Sequence, residues 1–475
     1  MDYDLVVIGG GAAGLAAART GAARAARALL VTDGPIGGDC TFTGCVPSKT
    51  LIEQAARAAT FAAAMSAVRA AVAQVAATET AQVLAGEGID VRHGHAEFVA
   101  PGRLRMDARP LTARGYVVAT GARPALPPIP GLPDVEYLTS ENVFDLTEAP
   151  PSLAVLGGGT IGCELAQAFC RLGVQVTVIE AMDRLLPAED PDASQVIERV
   201  FAREGIAVRT GARVEAAEAA PGGGIRLKLS GGAPVQARRL LVAVGRTPGT
   251  DLLGTDAAGI RTDGRGFIVT DDHLATTAPG VYAAGDVTGR LPFTHAAYAM
   301  GRIAAANALN RRRAGTYTDT GIPRVIFTDP EVAQVGLTEA QAAGMDARVA
   351  YLPMKELDRA ITAGRTDGFV KLIARPRRLP GRLLGHRIGN WGGGRVLGAT
   401  IVAARAGEMI HEPALAIRTG MFTGRLAQTV HAYPTWAVAI QQAAAQFFGS
   451  YGHRTARPVR PLNHGPNSAP GGAGR

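Results

Sequence analysis

Leu5-Val6-Val7-Ile8-Gly9-Gly10-Gly11-Ala12-Ala13-Gly14 is the stretch that decides the fold. Its four apolar residues read as a short buried strand. An alanine-rich helix follows the glycines, and Ala28-Leu29-Leu30-Val31 reads as a second strand. In such a βαβ unit the first glycine allows a tight turn. The second lets the backbone approach a pyrophosphate, and the third lets helix pack on strand. The pyrophosphate meets the positive end of the helix.

The signature returns. Leu153-Ala154-Val155-Leu156 leads into Gly157-Gly158-Gly159-Thr160-Ile161-Gly162, a helix, and the strand Val174 to Ile179, which ends at Glu180. One such glycine pattern arises by chance in ordinary loops. Two, each led by a strand and followed by a helix, imply two dinucleotide sites. Tyr116-Val117-Val118-Ala119-Thr120-Gly121 and Leu240-Leu241-Val242-Ala243-Val244-Gly245 are apolar strands ending in glycine, and they fit the ends of the two halves. The prolines from Pro124 to Pro133 and the step Ala149-Pro150-Pro151 mark a linker. An alanine-rich helical stretch is expected from Ser48 to about Ala85. From Ile322 strands and helices alternate without further nucleotide motifs, which implies another domain. The fold class is therefore α/β, with two Rossmann-like dinucleotide-binding domains and a C-terminal α+β interface domain.

At 475 residues the chain exceeds one compact core. The 47% hydrophobic content and 60 glycines suit apolar parallel strands joined by tight turns. The net charge of +8 raises nucleic acid as a partner. Its basic residues are dispersed, however, and the one run, Arg311-Arg312-Arg313, follows a helix-like stretch whose end it solvates. Nucleic-acid binding is not expected. Met1-Asp2-Tyr3-Asp4 has no positive n-region or cleavage site, and no uninterrupted apolar span long enough to cross a bilayer is apparent. The expectation is a cytoplasmic protein with no membrane partner.

Four cysteines are too few for a disulfide-stapled scaffold. Two of them lie in Gly37-Gly38-Asp39-Cys40-Thr41-Phe42-Thr43-Gly44-Cys45-Val46-Pro47-Ser48-Lys49. Two thiols with this spacing, on a segment entering a helix, can meet if the first turn is distorted, and Gly44 and Pro47 allow that. A thiolate near a helix N-terminus has a lowered pKa and is the nucleophilic form. Zinc would need further ligands nearby, and His93 and His95 lie too far along, so no metal site is expected. Cys163 and Cys170, seven apart on a helix, read as packing residues.

This cysteine segment resembles the active-site stretch of the pyridine nucleotide–disulfide oxidoreductases, which include dihydrolipoamide dehydrogenase, glutathione reductase and mercuric reductase. The resemblance covers residues 2 to about 448. It extends to Val118-Ala119-Thr120-Gly121, to Thr277-Ala278-Pro279-Gly280-Val281-Tyr282-Ala283-Ala284-Gly285-Asp286, and to Phe327-Thr328-Asp329-Pro330-Glu331 through Gly336. It implies an FAD-binding domain from 1–149 and 273–321, an NAD(P)-binding domain from 150–272 and an interface domain from 322–450. Residues 451–475, poor in apolar anchors, are expected to be a disordered tail.

The resemblance also implies roles. Gly9, Gly11 and Gly14 hold the FAD pyrophosphate, Asp286 bonds the flavin's ribityl and phosphate region, and Gly38, Thr120 and Gly121 join them at the cofactor. Cys45 faces the flavin as charge-transfer thiolate, and Cys40 is the interchange thiol. Lys49 lies near the flavin and pairs with Glu164. Gly157, Gly159, Gly162 and Gly245 bind the nicotinamide cofactor, whose adenosine ribose Glu180 accepts. A carboxylate there repels a 2′-phosphate, so NADH is favoured over NADPH. A homodimer is implied.

The chain departs from that family in places. Its first ribose position reads Val31-Thr32-Asp33, so Asp33 stands one residue late for the usual Glu. The family's C-terminal His-x-His-Pro-Thr-x-x-Glu, whose second His is the acid–base for thiol exchange, reads here His431-Ala432-Tyr433-Pro434-Thr435-Trp436-Ala437-Val438. Tyr433 replaces the catalytic His and Val438 the orienting carboxylate. A phenol with pKa near 10 is a poor shuttle where a tuned His contributes roughly 10²–10⁴-fold, and His431 lacks a carboxylate partner in this pattern. Tyrosine here is similar to mercuric reductase, yet its C-terminal cysteine pair is missing. Leu379 to Gly394 reads as an insertion forming a surface hairpin.

The resulting expectation is an FAD-dependent NAD(P)H oxidoreductase using a Cys40–Cys45 disulfide to reduce a small-molecule acceptor, a disulfide or a related compound. A metal-ion or quinone reductase of mercuric-reductase type is the first alternative. A flavin-containing redox sensor or binding module with little turnover is the second.

Overall fold

β1 (Tyr3–Ile8) lies at the centre of a parallel sheet, and Leu5, Val6 and Val7 are wholly buried. It pairs with β2 (Ala28–Thr32) on one side, Leu5 opposite Ala28 and Ile8 opposite Val31. On the other side Val6 lies opposite Tyr116 of the strand Ala113–Val118. Burial on both faces explains why the strand is a continuous apolar run rather than an alternating one. The structure is a computed structural model that describes residues 1–107, 109–310, 315–376 and 393–459. The chain forms two units, Met1–Pro187 with Glu198–Asp319, and Ala188–Ile197 with Thr320–Arg475.

The first unit contains two parallel sheets of the same winding. In the first the order is Val281–Ala283, Ala113–Val118, β1, β2 and β3 (Ile89–His93), and α1 (Ala12–Ala22) crosses from β1 to β2. In the second the order is Ala207–Arg209, Gln175–Ile179, Ser152–Leu156 and Arg239–Val242, with the helix Thr160–Arg171 as the first crossover. Both sheets therefore open a crevice at the carboxyl end of their first strand, where the winding reverses and ligands of such folds bind. A short antiparallel ladder joins Ala122–Pro124 to Arg246–Pro248.

The alanine-rich stretch expected as one helix is divided. α2 (Gly38–Phe42) carries Cys40, α3 (Cys45–Ala56) begins at the second thiol, and α4 (Phe61–Ala76) and α5 (Ala81–Gly86) follow. The breaks fall at threonines. Thr60 Oγ1 accepts from Ala63 N at 3.3 Å and Thr80 Oγ1 from Val83 N at 3.2 Å, each capping a new N-terminus. By length and composition alone Phe61–Gly86 is apolar enough to cross a membrane, which corrects the expectation of no such span. The cap at Thr80 leaves α4 with 16 residues. At 1.5 Å per residue that is about 24 Å, against a hydrocarbon core of roughly 30 Å.

The second unit is built on a six-stranded antiparallel sheet. Its order is Arg324–Ile326, Glu331–Gly336, Arg395–Ala403, Phe369–Arg375, Arg348–Pro353 and Arg457–Pro458. Lys371, on a central strand and 3% exposed, has its ammonium 2.9 Å from Asp190, 2.8 Å from Asp192 and 3.0 Å from Glu339. The expected tail does not begin without structure. Tyr451 and Arg454 bridge, and Arg457–Pro458 pairs with Arg348 and Val349. Arg311 to Arg313, residues 379–392 of the expected insertion and residues 460–475 lie outside the described residues.

Candidate active site

The two glycine turns have matching geometry. Gly9 adopts φ +113°, and a Cβ there would lie 2.2 Å from the Ala119 carbonyl oxygen; Gly157 adopts φ +109° and meets Ala243 in the same way at 2.4 Å. Only glycine fits such a position. Gly14 and Gly162 press on the carbonyl oxygens of Gly9 and Gly157, so each helix packs directly on its own turn. Gly11 and Gly159, the N-caps of α1 and of Thr160–Arg171, face open space and have no side-chain cap. Each turn thus presents a clear approach to the unpaired amides of a helix N-terminus, where an anionic pyrophosphate fits.

Around the first turn lie the other residues expected at the flavin dinucleotide. Gly38 packs on Gly11, and Gly37 N donates to Gly10 O at 2.8 Å, so the cysteine segment is stitched to the turn itself. Thr120 Oγ1 is buried with no hydrogen-bond partner among the described residues, and Gly121 follows in the left-handed region. Asp286 sits just past the strand Val281–Ala283, where burial pushes its carboxyl above the ordinary range and Arg246 partly offsets this.

The two expected ribose positions differ. Glu180 is buried, with Oε2 accepting from Gly158 N at 2.6 Å and Oε1 from Met182 N at 2.8 Å. Asp33 is exposed beyond the end of β2, while Thr32 turns inward and its hydroxyl bonds the backbone of Gly34. Gly245 continues the strand Arg239–Val242 toward the antiparallel ladder, at φ +153°.

Cys40 and Cys45 are both free thiols within hydrogen-bonding reach of each other. Gly44 permits the approach, since a Cβ there would lie 2.7 Å from the Asp39 carbonyl oxygen. The pair is chemically asymmetric. The hydrogen bond from Cys40 lowers the Cys45 pKa to about 6 against the cost of burial, aided by Thr294 and by the charge of Lys49. Donating to Cys45, together with burial, pushes the Cys40 thiol well up. Cys45 is thus the thiolate and Cys40 the protonated partner. Lys49, one helical turn beyond Cys45, places Nζ 2.8 Å from Glu164 Oε2, and Glu164 is 3% exposed on the helix that opens with the second glycine turn.

Two residues of this site carry no motif. Thr294 opens the helix Thr294–Leu309 and sets Oγ1 3.2 Å from Cys45 Sγ. Arg246 forms ion pairs with Asp39, beside Cys40, and with Asp286 at 3.3 Å. Cys163 has the expected packing role: it is wholly buried, its thiol donates to Gly158 O, and burial raises its pKa. Cys170 is only partly buried.

In the second unit Tyr433 is 72% exposed and its hydroxyl donates to Asp358 Oδ2 at 2.7 Å, which raises the phenol's pKa. The expectation that His431 lacks a carboxylate is corrected. Its Nε2 lies 3.0 Å from Glu412 Oε2 and its Nδ1 2.9 Å from Thr429 O. Glu412 comes from the helix His411–Arg418, upstream rather than downstream, while Val438 belongs to the apolar core.

The family profile described as pyridine nucleotide-disulphide oxidoreductase matches residues 3–301, and the profile of its dimerisation domain matches 322–390 and 388–444. Mercuric reductase of Streptomyces lividans is 36% identical over 473 residues, spanning 94% of this chain and 96% of that one. Dihydrolipoyl dehydrogenase of Chlorobaculum tepidum is 35% identical over 485 residues, spanning 95% and 98%. The HOCl-induced flavoprotein disulfide reductase RclA from Escherichia coli, solved as a Cu(II) complex, superposes with a TM-score of 0.83 at 30% identity, covering 94% of this chain and 99% of that one.

Proposed function

Because the chain belongs to the pyridine nucleotide–disulphide oxidoreductases, an FAD-dependent enzyme family using NAD(P)H, we propose that it reduces a small-molecule acceptor through the Cys40–Cys45 pair. The observation that carries this reading is the setting of the two thiols, Cys40 and Cys45 on either side of the Gly44 turn, with Cys45 Sγ 3.2 Å from Thr294 Oγ1 and one helical turn before the Lys49–Glu164 pair. When bound, FAD supplies the passage of two electrons from the nicotinamide to the thiol pair. The residues proposed to hold it are Gly9, Gly11, Gly14, Gly38, Thr120, Gly121 and Asp286, with Asp33 at the ribose. Gly157, Gly159, Gly162, Gly245 and Glu180 are proposed for the nicotinamide cofactor. Both oxygens of Glu180 are already fixed by backbone amides, and a 2′-phosphate beside that charge is repelled, so NADH is the proposed donor.

With a disulfide as acceptor, the chemistry of the chain balances simply. Cys40 passes its proton to Cys45 and attacks one acceptor sulfur, breaking the acceptor S–S bond and expelling the other sulfur as a thiolate, which takes that proton back from Cys45. The Cys45 thiolate then closes on the Cys40 sulfur and releases the second sulfur as a thiolate, which is protonated from solvent. Overall, NADH and one proton convert one disulfide into two thiols. Lys49 and Glu164 hold the charge beside Cys45.

A second reading has its own support. Tyr433, where relatives of lipoamide type have an acid–base, is a phenol engaged with Asp358 and shifted away from proton exchange at neutral pH. An acceptor that needs no thiol protonation, a thiophilic metal ion or a quinone, suits that arrangement, and relatives named mercuric reductase fit it. The proposed assembly is a homodimer in the cytoplasm, where dithiols are kept reduced, with the interface domain of one protomer supplying Tyr433 to its partner. The domain boundaries 1–149 with 273–321, 150–272 and 322–450 go with this reading.

Steady-state turnover of NADH with disulfides, mercuric and cupric ions and quinones tests it. Loss of disulfide and metal turnover in Cys40→Ser is expected. Full retention of both would overturn the role of the thiol pair, and quinone turnover surviving alone would assign that acceptor to the flavin.

A further inference from the structure

Cys40 sits in an unusually short helix. α2 has five residues, its N-cap Gly37 lies in the left-handed region, and no side chain caps it. A helix of this length has no stability of its own in water, so the position of Cys40 depends on what holds its neighbours. Both are held. Thr41, 3% exposed, donates to Glu79 Oε2 at 3.0 Å. Asp39 is ion-paired to Arg246.

Arg246 is half-buried; its Nη2 donates to two acceptors, and its Nε faces a third oxygen without hydrogen-bonding to it. It pairs with Asp39, lies with Nε 3.3 Å from Asp286 Oδ2, and donates to the Ala122 carbonyl oxygen. Its backbone is fixed by the ladder in which Arg246 faces Pro124. A planar guanidinium can bridge two carboxylates in a fixed geometry in a way that an ammonium cannot. The Asp286 side of this arrangement is shielded, with side chains 21% and 23% exposed, whereas Asp39 is 51% exposed and its pair is screened by solvent like a surface one.

We infer that Arg246 is the positioning residue of the thiol pair: by bridging Asp39 to Asp286 it holds the Cys40 turn where the Cys40 thiol can donate to Cys45. This deepens the proposed function and rests on the thiol pair being its redox centre. The groups facing the two sulfurs are few. Cys45 is met by Cys40, Thr294, Lys49 and, beyond it, Glu164; Cys40 is met by Cys45, Thr294 and Glu79. Only Cys40 in that set depends on Arg246. Freeing α2 therefore removes one donor from Cys45 and leaves the others in place.

The test is the pH profile of the long-wavelength thiolate–flavin absorbance in the full-length, flavin-loaded, two-electron-reduced protein, from about pH 5 to about pH 9. The native midpoint is expected near about 6. Arg246→Gln is expected to move it toward the free-thiol value of about 8.5, Asp39→Asn to do the same, and Arg246→Lys to restore part of the shift. Asp39 has a half-exposed side chain, so its variant keeps the test open if Arg246→Gln fails to fold. An unchanged midpoint in folded Asp39→Asn or Arg246→Gln protein overturns the inference. The redox reading fails separately, if NADH does not reopen a Cys40–Cys45 disulfide that diamide has closed in the native protein.

Discussion

Lys49 Nζ lies 2.8 Å from Glu164 Oε2, joining the cysteine helix to the helix of the second glycine turn. The carboxylate is almost fully buried and the ammonium partly exposed. Lys49 favours the Cys45 thiolate, and Glu164 opposes it.

The pair therefore tunes the pH at which Cys45 ionises, beside the larger influence of Cys40 and burial. Glu164→Gln removes the carboxylate that opposes the thiolate, and the Cys45 pKa is expected to fall below about 6. Lys49→Met removes the cation that favours the thiolate and is expected to raise it. The long-wavelength absorbance of a thiolate beside a flavin, titrated in the two-electron-reduced protein, reports both. Thiolate grows as pH rises, so the midpoint should move to lower pH in the first variant and to higher pH in the second. A shift in the same direction for both contradicts this assignment.

Thr294 makes a separable contribution. Thr294→Val keeps the shape and removes the hydroxyl that lies 3.2 Å from Cys45 Sγ. A hydrogen bond to a charged group contributes about 1.5–3 kcal/mol, so the Cys45 pKa should rise by about 1–2 pH units. The same titration measures it. Cys45→Ala should abolish the band altogether, and a band that persists there would come from some other donor.

Lys371 should matter to stability. Burial by itself lowers the pKa of a lysine, but Asp190, Asp192 and Glu339 more than reverse this and hold the ammonium above its ordinary value. The contribution of this cation is then complete at neutral pH and is lost only in strongly alkaline solution. Lys371→Met strands the buried carboxylate of Asp190, and about 3–5 kcal/mol of destabilisation is expected. Chemical denaturation should show it, with partial recovery on acidification as the carboxylates are neutralised. A variant as stable as the native protein would mean the cluster is solvated in solution.

The glycine turns were legible because their constraint is local. Gly9 and Gly157 must accept a positive φ against a neighbouring strand, and the strand, turn and helix that impose this are adjacent in sequence. The thiol pair was legible for the same reason. Thr294 and Arg246 were not, because their partners Cys45 and Asp39 lie 249 and 207 residues away, and no spacing rule connects them. The carboxylate of His431 was missed because the downstream pattern ends at Val438, whereas the packing of helix His411–Arg418 supplies Glu412. The division of the alanine-rich stretch could have been read from Thr60 and Thr80, whose hydroxyls cap α4 and α5.

Pro458 ends the outermost strand of the antiparallel sheet. An outer strand with free amides invites a strand from a stranger molecule to add to it. Proline has no amide hydrogen to offer, so this border of the sheet is a poor template for unwanted polymer growth.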